Sequence, residues 1–245
     1  MSEREQLRSA IAALEVQRAT LGDAIVDAAL ASMREKLAAI DRAGIADAAQ
    51  AGERKQVTVM FADLSGFTAL SETLDPEQVR SLVNACFDAL VPRVRKYGGV
   101  VDKFIGDEIM ALFGAPATHE NDAECALCAA LEMVDALAGF NATHRVNLGM
   151  HFGIATGRVV AGGLGSAGQQ QYSVMGEAVN LAARLEDFSE SGQILVGPVT
   201  HRLTSPLFRF EPLPPVRLKG MAEPVAVYRL LGRRDTPEPT RGIAG

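Results

Sequence analysis

Apolar positions recur along the chain with two periods, and the switches between them mark out its elements. Residues 57–62 in QVTVMFAD form an apolar, β-branched run, the mark of a buried strand. Over 76–97 the rhythm becomes helical, with Val79, Leu82, Val83, Cys86, Leu90 and Val94 on one face, which predicts an amphipathic helix. Two short apolar pieces, 100–105 and 109–113, flank Gly106-Asp107-Glu108, a tight-turn sequence that closes them into a hairpin. Further on, the pattern predicts a helix over 120–138, strands over 147–158 and 170–175, a helix over 177–188 and a strand over 193–196. Shorter elements follow and end in AVYRLL, while GGLGSAGQQQ at 162–171 reads as a flexible connection. Strands and helices alternating around one hairpin predict an α+β fold, a sheet covered by helices in the split βαβ manner.

Ahead of these elements, residues 1–46 are rich in Ala, Leu and charge. Leu7, Ile11, Leu14, Leu21 and Ile25 hold one heptad phase, with Arg18 in the missing seam place; Val26, Leu30, Met33, Leu37 and Ile40 continue it shifted by one residue. The shift falls beside Leu21-Gly22-Asp23, where Gly weakens a helix and Asp caps a new one. Two helices, or one with a stutter, fit equally well. Such a segment either dimerises and relays a signal or packs on its own domain. Residues 47–54 read as a linker and 55–232 as the main domain. Residues 233–245, with charge, Pro and Gly but no period, read as a flexible tail, which could lead to additional regulatory domains in a longer natural chain.

Composition narrows the class. With 245 residues, 48% hydrophobic and 22% charged, the chain can bury a substantial core. A formal net charge of −6 argues against broad binding of nucleic acid or of an anionic membrane. It leaves room for a small anion held by a few local cations. MSEREQLRSA lacks the apolar core of a signal peptide, and no run approaches the roughly 18 apolar residues that span a bilayer. The protein is therefore expected to be soluble and cytoplasmic, with no membrane partner. The three cysteines are too few for a disulfide framework, and the Cys125-x-x-Cys128 pair lies in a helical pattern, so it reads as small buried hydrophobes. His119, His144, His151 and His201 are scattered and read as structural or exposed.

Three segments bring together residue types that suit phosphate chemistry. In FADLSGFTAL, Asp63 ends a buried strand, where a carboxylate can hold a hard cation, and Ser65-Gly66-Phe67-Thr68 can turn backbone N–H groups toward a phosphate. Asp63 or Ser65 could equally be a helix N-cap. In the hairpin, Lys103 interrupts an apolar strand and Asp107 sits at the turn. Were strands 57–62 and 100–105 neighbours, Asp63 and Asp107 would converge on one site able to clamp two metal ions, although Gly-Asp is also an ordinary turn pair. In YSVMGEAVNLAARLEDF, Asn180 and Arg184 stand four apart on one helix face, away from the stripe of Leu181, Leu185 and Phe188. An amide and a guanidinium so presented can orient a sugar and neutralise a phosphate, or can be a surface pair.

Taken together, FADLSGFT, KFIGDEIMALFG and YSVMGEAVNLAARLE closely resemble, in order and spacing, the class III nucleotidyl cyclase catalytic domain, the adenylyl and guanylyl cyclase family, over residues 55–231. The resemblance implies a ferredoxin-like cyclase palm working as a head-to-tail homodimer with its sites at the interface. It implies that Asp63 and Asp107 bind two divalent ions per active site, Mg²⁺ or Mn²⁺, with the backbone carbonyl of Leu64 as a further ligand. Asn180 takes the position that orients the ribose, and Arg184 the one that stabilises the transition state at the α-phosphate. Lys103 matches the base-reading lysine that donates to adenine N1, where a guanine-selective site carries an acidic residue. Ser173 holds the partner base-reading position, where adenylyl cyclases usually show Asp or Thr; this places the chain nearest the Thr- or Ser-bearing subgroup.

Lys219, in VRLKGMAEPV, resembles the late lysine that holds the triphosphate, with a solvated loop lysine as the alternative. Glu108 and Asp102 adjoin matched positions and read as turn and strand polar groups. The implied activity is conversion of ATP to 3′,5′-cyclic AMP and pyrophosphate. A guanylyl cyclase, or a catalytically silent nucleotide-sensing or dimerisation module, is the alternative.

Overall fold

The computed structural model describes residues 53–66, 75–164, 171–221 and 223–235, with single helical positions between 6 and 36. The chain divides into two compact units, Met1–Glu53 with Gly162–Tyr172, and Arg54–Ala161 with Ser173–Gly245. In the first unit, Val26 and Leu30 of the heptad seam are buried and Leu7, Ile11, Leu14 and Met33 half-buried, whereas Gln6, Ala13, Ser32 and Lys36 are exposed. Burial on one side is what an amphipathic helix requires. The Leu21-Gly22-Asp23 junction, and with it the choice between one helix and two, lies outside the described residues, as do 47–52 and 236–245.

The strands are β1 (Glu53–Ser65), β2 (Val100–Ile105), β3 (Glu108–Phe113), β4 (Gly149–Leu164), β5 (Gln171–Met175), β6 (Ile194–Val196), β7 (Phe208–Val216) and β8 (Val225–Arg233). Long helices α1 (Pro76–Lys96) and α2 (Asp122–His144) and the shorter α3 (Glu177–Phe188) and α4 (Pro198–Thr204) connect them. The sheet runs β2-β3-β1-β4-β6-β8-β7, with β5 paired to β4.

The expected neighbourhood of strands 57–62 and 100–105 is corrected, because β3 lies between β1 and β2 and is antiparallel to both. The cause is burial. β3 buries every residue after Glu108 and so takes an interior place, whereas β2 is exposed over Lys103, Phe104 and Ile105 and tolerates the edge. Asp63 and Asp107 still approach one another. Ala62 pairs with Ile109, which brings the end of β1 to the hairpin turn.

Leu90 and Val94 of α1, Leu127 and Met133 of α2, and Met60 and Phe152 of the sheet meet in one apolar core. α2 runs past 138 to His144 because Phe140 is still buried, and it ends where Arg145 takes a left-handed conformation with φ 55°. Just before that end, the Asn141 amide donates to the Leu148 carbonyl at 2.7 Å and accepts from its N–H at 3.1 Å, fastening the segment that leads into β4. Thr58, Thr156 and Thr200, all buried, form a hydroxyl chain with two 2.9 Å links from β1 through β4 to α4. Cys86 and Cys128 are buried, and burial pushes the Cys86 and Cys125 thiols up to about 11, as expected for packing residues rather than reactive thiols.

Helix α3 lies directly on β4. A Cβ on Gly153 would stand 2.0 Å from the Ala182 carbonyl oxygen and 2.3 Å from the Glu186 nitrogen, so the contact is possible because residue 153 has no side chain. Ala178, Ala182 and Leu185 face inward, which leaves Asn180 exposed and Arg184 half-exposed; the expected core-facing stripe of Leu181, Leu185 and Phe188 is corrected, since Leu181 is half-buried and Phe188 is 46% exposed.

Candidate active site

Asp63, at the end of β1, meets the β2–β3 turn on one side and β4 and α3 on the other. Burial first, then the charge of Asp107, hold the Asp63 carboxyl above its ordinary range, against the lowering pull of His151 and of the Leu64 N–H. Burial pushes Glu108 up to about 7, with Glu186, Asp63, Asp187 and Asp107 adding to the effect. Glu186 is likewise raised to about 7 by burial, then by Asp63 and Asp187. Five carboxylates thus crowd one region. His151 lies among them, with Nε2 3.5 Å from Asp63 and Nδ1 3.4 Å from Glu186.

Hard oxygen donors whose charges raise one another's proton affinity are what a divalent cation relieves, so these residues fit a metal requirement. Ligand atoms of Asp63, His151 and Glu186 lie within 4.8 Å of one another. The imidazole, however, turns opposite nitrogens to the two carboxylates. It therefore separates them rather than converging with both on one point, and the carboxylates remain the natural hard-ion ligands.

A second cluster forms on the same hairpin. Lys103 Nζ donates to Ser173 Oγ at 3.1 Å and lies 2.9 Å from Asp102 Oδ2. On α3, Arg184 Nη1 donates to Asp187 at 2.7 Å. Beside the hairpin a cavity of about 790 Å³ opens between α1 and the turn, lined by Val83, Phe87, Phe104 and Asp107 among others. That is within the usual range for a small-molecule site. Phe87 and Phe104 stack in its wall at 4.6 Å.

The structure therefore brings Asp63 to Asp107 and Lys103 to Ser173, and sets Asn180 and Arg184 on one outer face of α3. Leu64 is buried. Gly66 ends β1 in a left-handed turn with φ 86°, and Phe67 and Thr68 lie outside the described residues. Lys219 stands exposed between β7 and β8, strands at the far end of the sheet order from β2.

From sequence His151 reads as structural or exposed, Glu108 and Asp102 read as turn and strand polar groups, and Glu186 carries no assignment, yet all four lie in these clusters. Glu186 carried a legible signal, since it follows Leu185 and falls four residues after Ala182, on the buried stripe of α3. His151 is mostly buried, and β4 carries it to the end of β1, 3.5 Å from Asp63.

Paired carboxylates at a strand end and a hairpin turn are a donor set that suits two-metal phosphoryl transfer, and Asn180 and Arg184 stand on a separate helix. The model of the adenylate and guanylate cyclase catalytic domain matches residues 49–232, and the chain belongs to that family. Adenylate cyclase 1 of Rhizobium meliloti (strain 1021) is 31% identical over 189 residues, covering 75% of this chain and 28% of that protein. The chain thus spans little more than a quarter of that relative's length. The crystal structure of the adenylyl cyclase CyaB from P. aeruginosa matches with a TM-score of 0.72 and 34% identity, over 75% of this chain and 97% of that one. The guanylyl cyclase Cya2 matches with a TM-score of 0.71 and 34% identity, over 75% and 95%. The α+β cyclase fold is as expected, and cyclases of this family generally use divalent metals. Among the described residues, no helix is long and apolar enough to cross a membrane.

Proposed function

We propose that this domain is an adenylyl cyclase, converting ATP to 3′,5′-cyclic AMP and pyrophosphate at sites shared by two copies of the chain. The observation that carries this reading is the 3.1 Å contact between Lys103 and Ser173, the two positions that the resemblance assigns to the base. An ammonium donates to adenine N1; guanine presents N1–H there, a donor that an ammonium cannot accept. Identity to the solved structures alone does not choose, because CyaB and Cya2 are both 34% identical to this chain.

Asp63 and Asp107, with the Leu64 carbonyl, would hold two Mg²⁺ or Mn²⁺ ions, which when bound supply charge neutralisation at the triphosphate and acidify the ribose 3′-hydroxyl. Asn180 orients the ribose so that its 3′-oxygen faces the α-phosphorus. Arg184 donates to the α-phosphate oxygens as their charge grows in the transition state. Lys219 and the backbone of the segment Gly66, Phe67 and Thr68 hold the triphosphate.

Sharing between copies is supported by the two clusters having no side-chain partner in common among these contacts. Lys103 and Ser173 make their contacts with Asp102, whereas Asp63 makes its contacts with His151 and the surrounding carboxylates. Phe104 and Ile105, each 49% exposed beside Lys103, are apolar surface that a second copy would cover. We place the protein in the cytoplasm, with ATP rather than nucleic acid as its partner. The unmatched length of the rhizobial relative leaves room for regulatory domains in a longer natural chain.

Mass-spectrometric identification of the products from ATP and from GTP, with Mg²⁺ or Mn²⁺, tests the reading. Cyclic AMP, formed with the higher kcat/KM, is expected. Preference for GTP would make the domain a guanylyl cyclase, and turnover of neither would make it a silent module.

A further inference from the structure

Asp102 has no part in the roles above, yet its side chain is 2% exposed beside Lys103 and Ser173. It is the extra residue of a β-bulge, since Val101 faces Ala111 and Lys103 faces Met110 on β3. In a regular strand, consecutive side chains point to opposite faces. The bulge re-aims one of them, so that both Asp102 and Lys103 reach Ser173 of β5. Ser173 Oγ donates to Asp102 Oδ2 at 2.9 Å, Lys103 Nζ lies 2.9 Å from the same oxygen, and Lys103 donates to Ser173 Oγ at 3.1 Å. Ser173 itself is 4% exposed.

The three side chains can be accounted for bond by bond. A hydroxyl has one proton to give and two lone pairs to receive, and an ammonium has three protons to give. The Ser173 proton goes to Asp102, and one of its lone pairs takes a Lys103 proton. One Ser173 lone pair remains. Lys103 gives one proton to Ser173 and one to Asp102, and one remains. Lys103 and Ser173 between them therefore offer a ligand one donor and one acceptor, and their polarity is fixed as long as Asp102 keeps the hydroxyl proton. Without that carboxylate the hydroxyl could rotate and donate.

We infer that Asp102 is a positioning residue that sets base selectivity by making Ser173 an obligate acceptor. The pair then matches adenine, with Lys103 donating to N1 and Ser173 accepting from the N6 amino group. Guanine in the same pose would set its O6 acceptor against the Ser173 lone pair and its N1–H against the Lys103 ammonium. A buried polar group left facing its own kind is strongly rejected. The inference rests on the adenylyl cyclase reading and adds a residue that the reading does not need.

The test is kcat/KM for ATP and for GTP in the full chain, the Asp102→Ala and Ser173→Ala variants and the double variant. Native-like thermal unfolding is checked for each. The unaltered chain is expected to favour ATP. Asp102→Ala should shrink the ATP-to-GTP ratio about tenfold, the scale of one buried hydrogen bond left unmade. The ratio in the double variant should equal that of Ser173→Ala, because Asp102 acts through the hydroxyl. Equal losses for both nucleotides in Asp102→Ala, with the ratio unchanged, overturn the inference and leave the substrate reading standing. An unaltered chain that favours GTP overturns both. Should Asp102→Ala not fold, Ser173→Ala decides: an unchanged ratio there removes the residue through which Asp102 is said to act.

Discussion

His151 stands between Asp63 and Glu186, with Nε2 3.5 Å from the first carboxylate and Nδ1 3.4 Å from the second. Ser189 Oγ, 3.0 Å from Nδ1, and the Glu186 backbone oxygen, at 3.3 Å, fix the ring's orientation. The imidazole thus ties Asp63, the carboxylate proposed to bind metal, to α3, the helix that carries Asn180 and Arg184. Outer partners of metal ligands typically contribute 10–100-fold to affinity or activity. His151→Ala is expected to raise the Mn²⁺ concentration for half-maximal activity about tenfold, with far-UV circular dichroism unchanged. An unaltered metal titration would show that Asp63 is held without the ring.

Arg184 is bound to the exposed Asp187 at 2.7 Å, an ion pair that substrate can displace at little cost because both partners are solvated. Arg184→Ala should lower kcat about 10²–10³-fold, the usual loss for a donor that acts on transition-state charge, while ATP binding measured by equilibrium dialysis changes far less. Asp107→Ala should be equally inactive. If two chains share each site, mixing these variants restores one intact site per heterodimer. Lack of recovery, with subunit exchange shown by differently tagged chains, contradicts the shared site.

What could be read beforehand was whatever one stretch of chain decides for itself. Helix 177–188 has the expected bounds because its alanine and leucine stripe is narrow and Gly176 precedes it. α2 exceeded its expected end because Ala126, Ala129 and Ala130 are buried without forming a sharp stripe, so its terminus depends on Phe140 meeting the core. The bulge that turns Asp102 toward Ser173 breaks the two-residue alternation from which strand faces are inferred. His151 and Glu186 lie 35 positions apart and meet because Gly153 lets α3 approach β4. Asp63, Asp107, Asn180 and Arg184 were legible as chemical types in motifs; the groups packed around Asp63 were not.

That close approach is itself testable. Gly153→Ala would place a methyl group 2.0 Å from the Ala182 carbonyl oxygen, a backbone atom that cannot swing aside. Overpacking of this kind costs about 1–3 kcal/mol, and the rigid contact puts this site at the upper end. Thermal and urea unfolding should show the loss, and kcat of the folded fraction should fall as well, since α3 carries Asn180 and Arg184. Full stability in the variant would mean that α3 sits farther from β4.

The pH dependence of stability has a separable contribution from His201. Its ring stacks on Tyr228 at 3.7 Å and meets the edge of Phe210 at 4.9 Å, and burial lowers its pKa from 6.5. A histidine that resists protonation when folded lets the unfolded chain bind more protons below pH 6.5, so its contribution is whole above that value and is lost as pH falls toward the folded pKa. Glu108 and Glu186, both raised to about 7, act in the opposite sense: the folded state takes up their protons first, and falling pH stabilises it. The overall profile therefore mixes both signs, and the difference between two chains isolates one of them. His201→Phe keeps an aromatic ring on Tyr228 and removes the titration. Its Tm is expected to fall less than that of the unaltered chain between pH 7 and pH 5, with the carboxylate contribution common to both. Parallel Tm profiles would show that His201 titrates alike in the folded and unfolded chain.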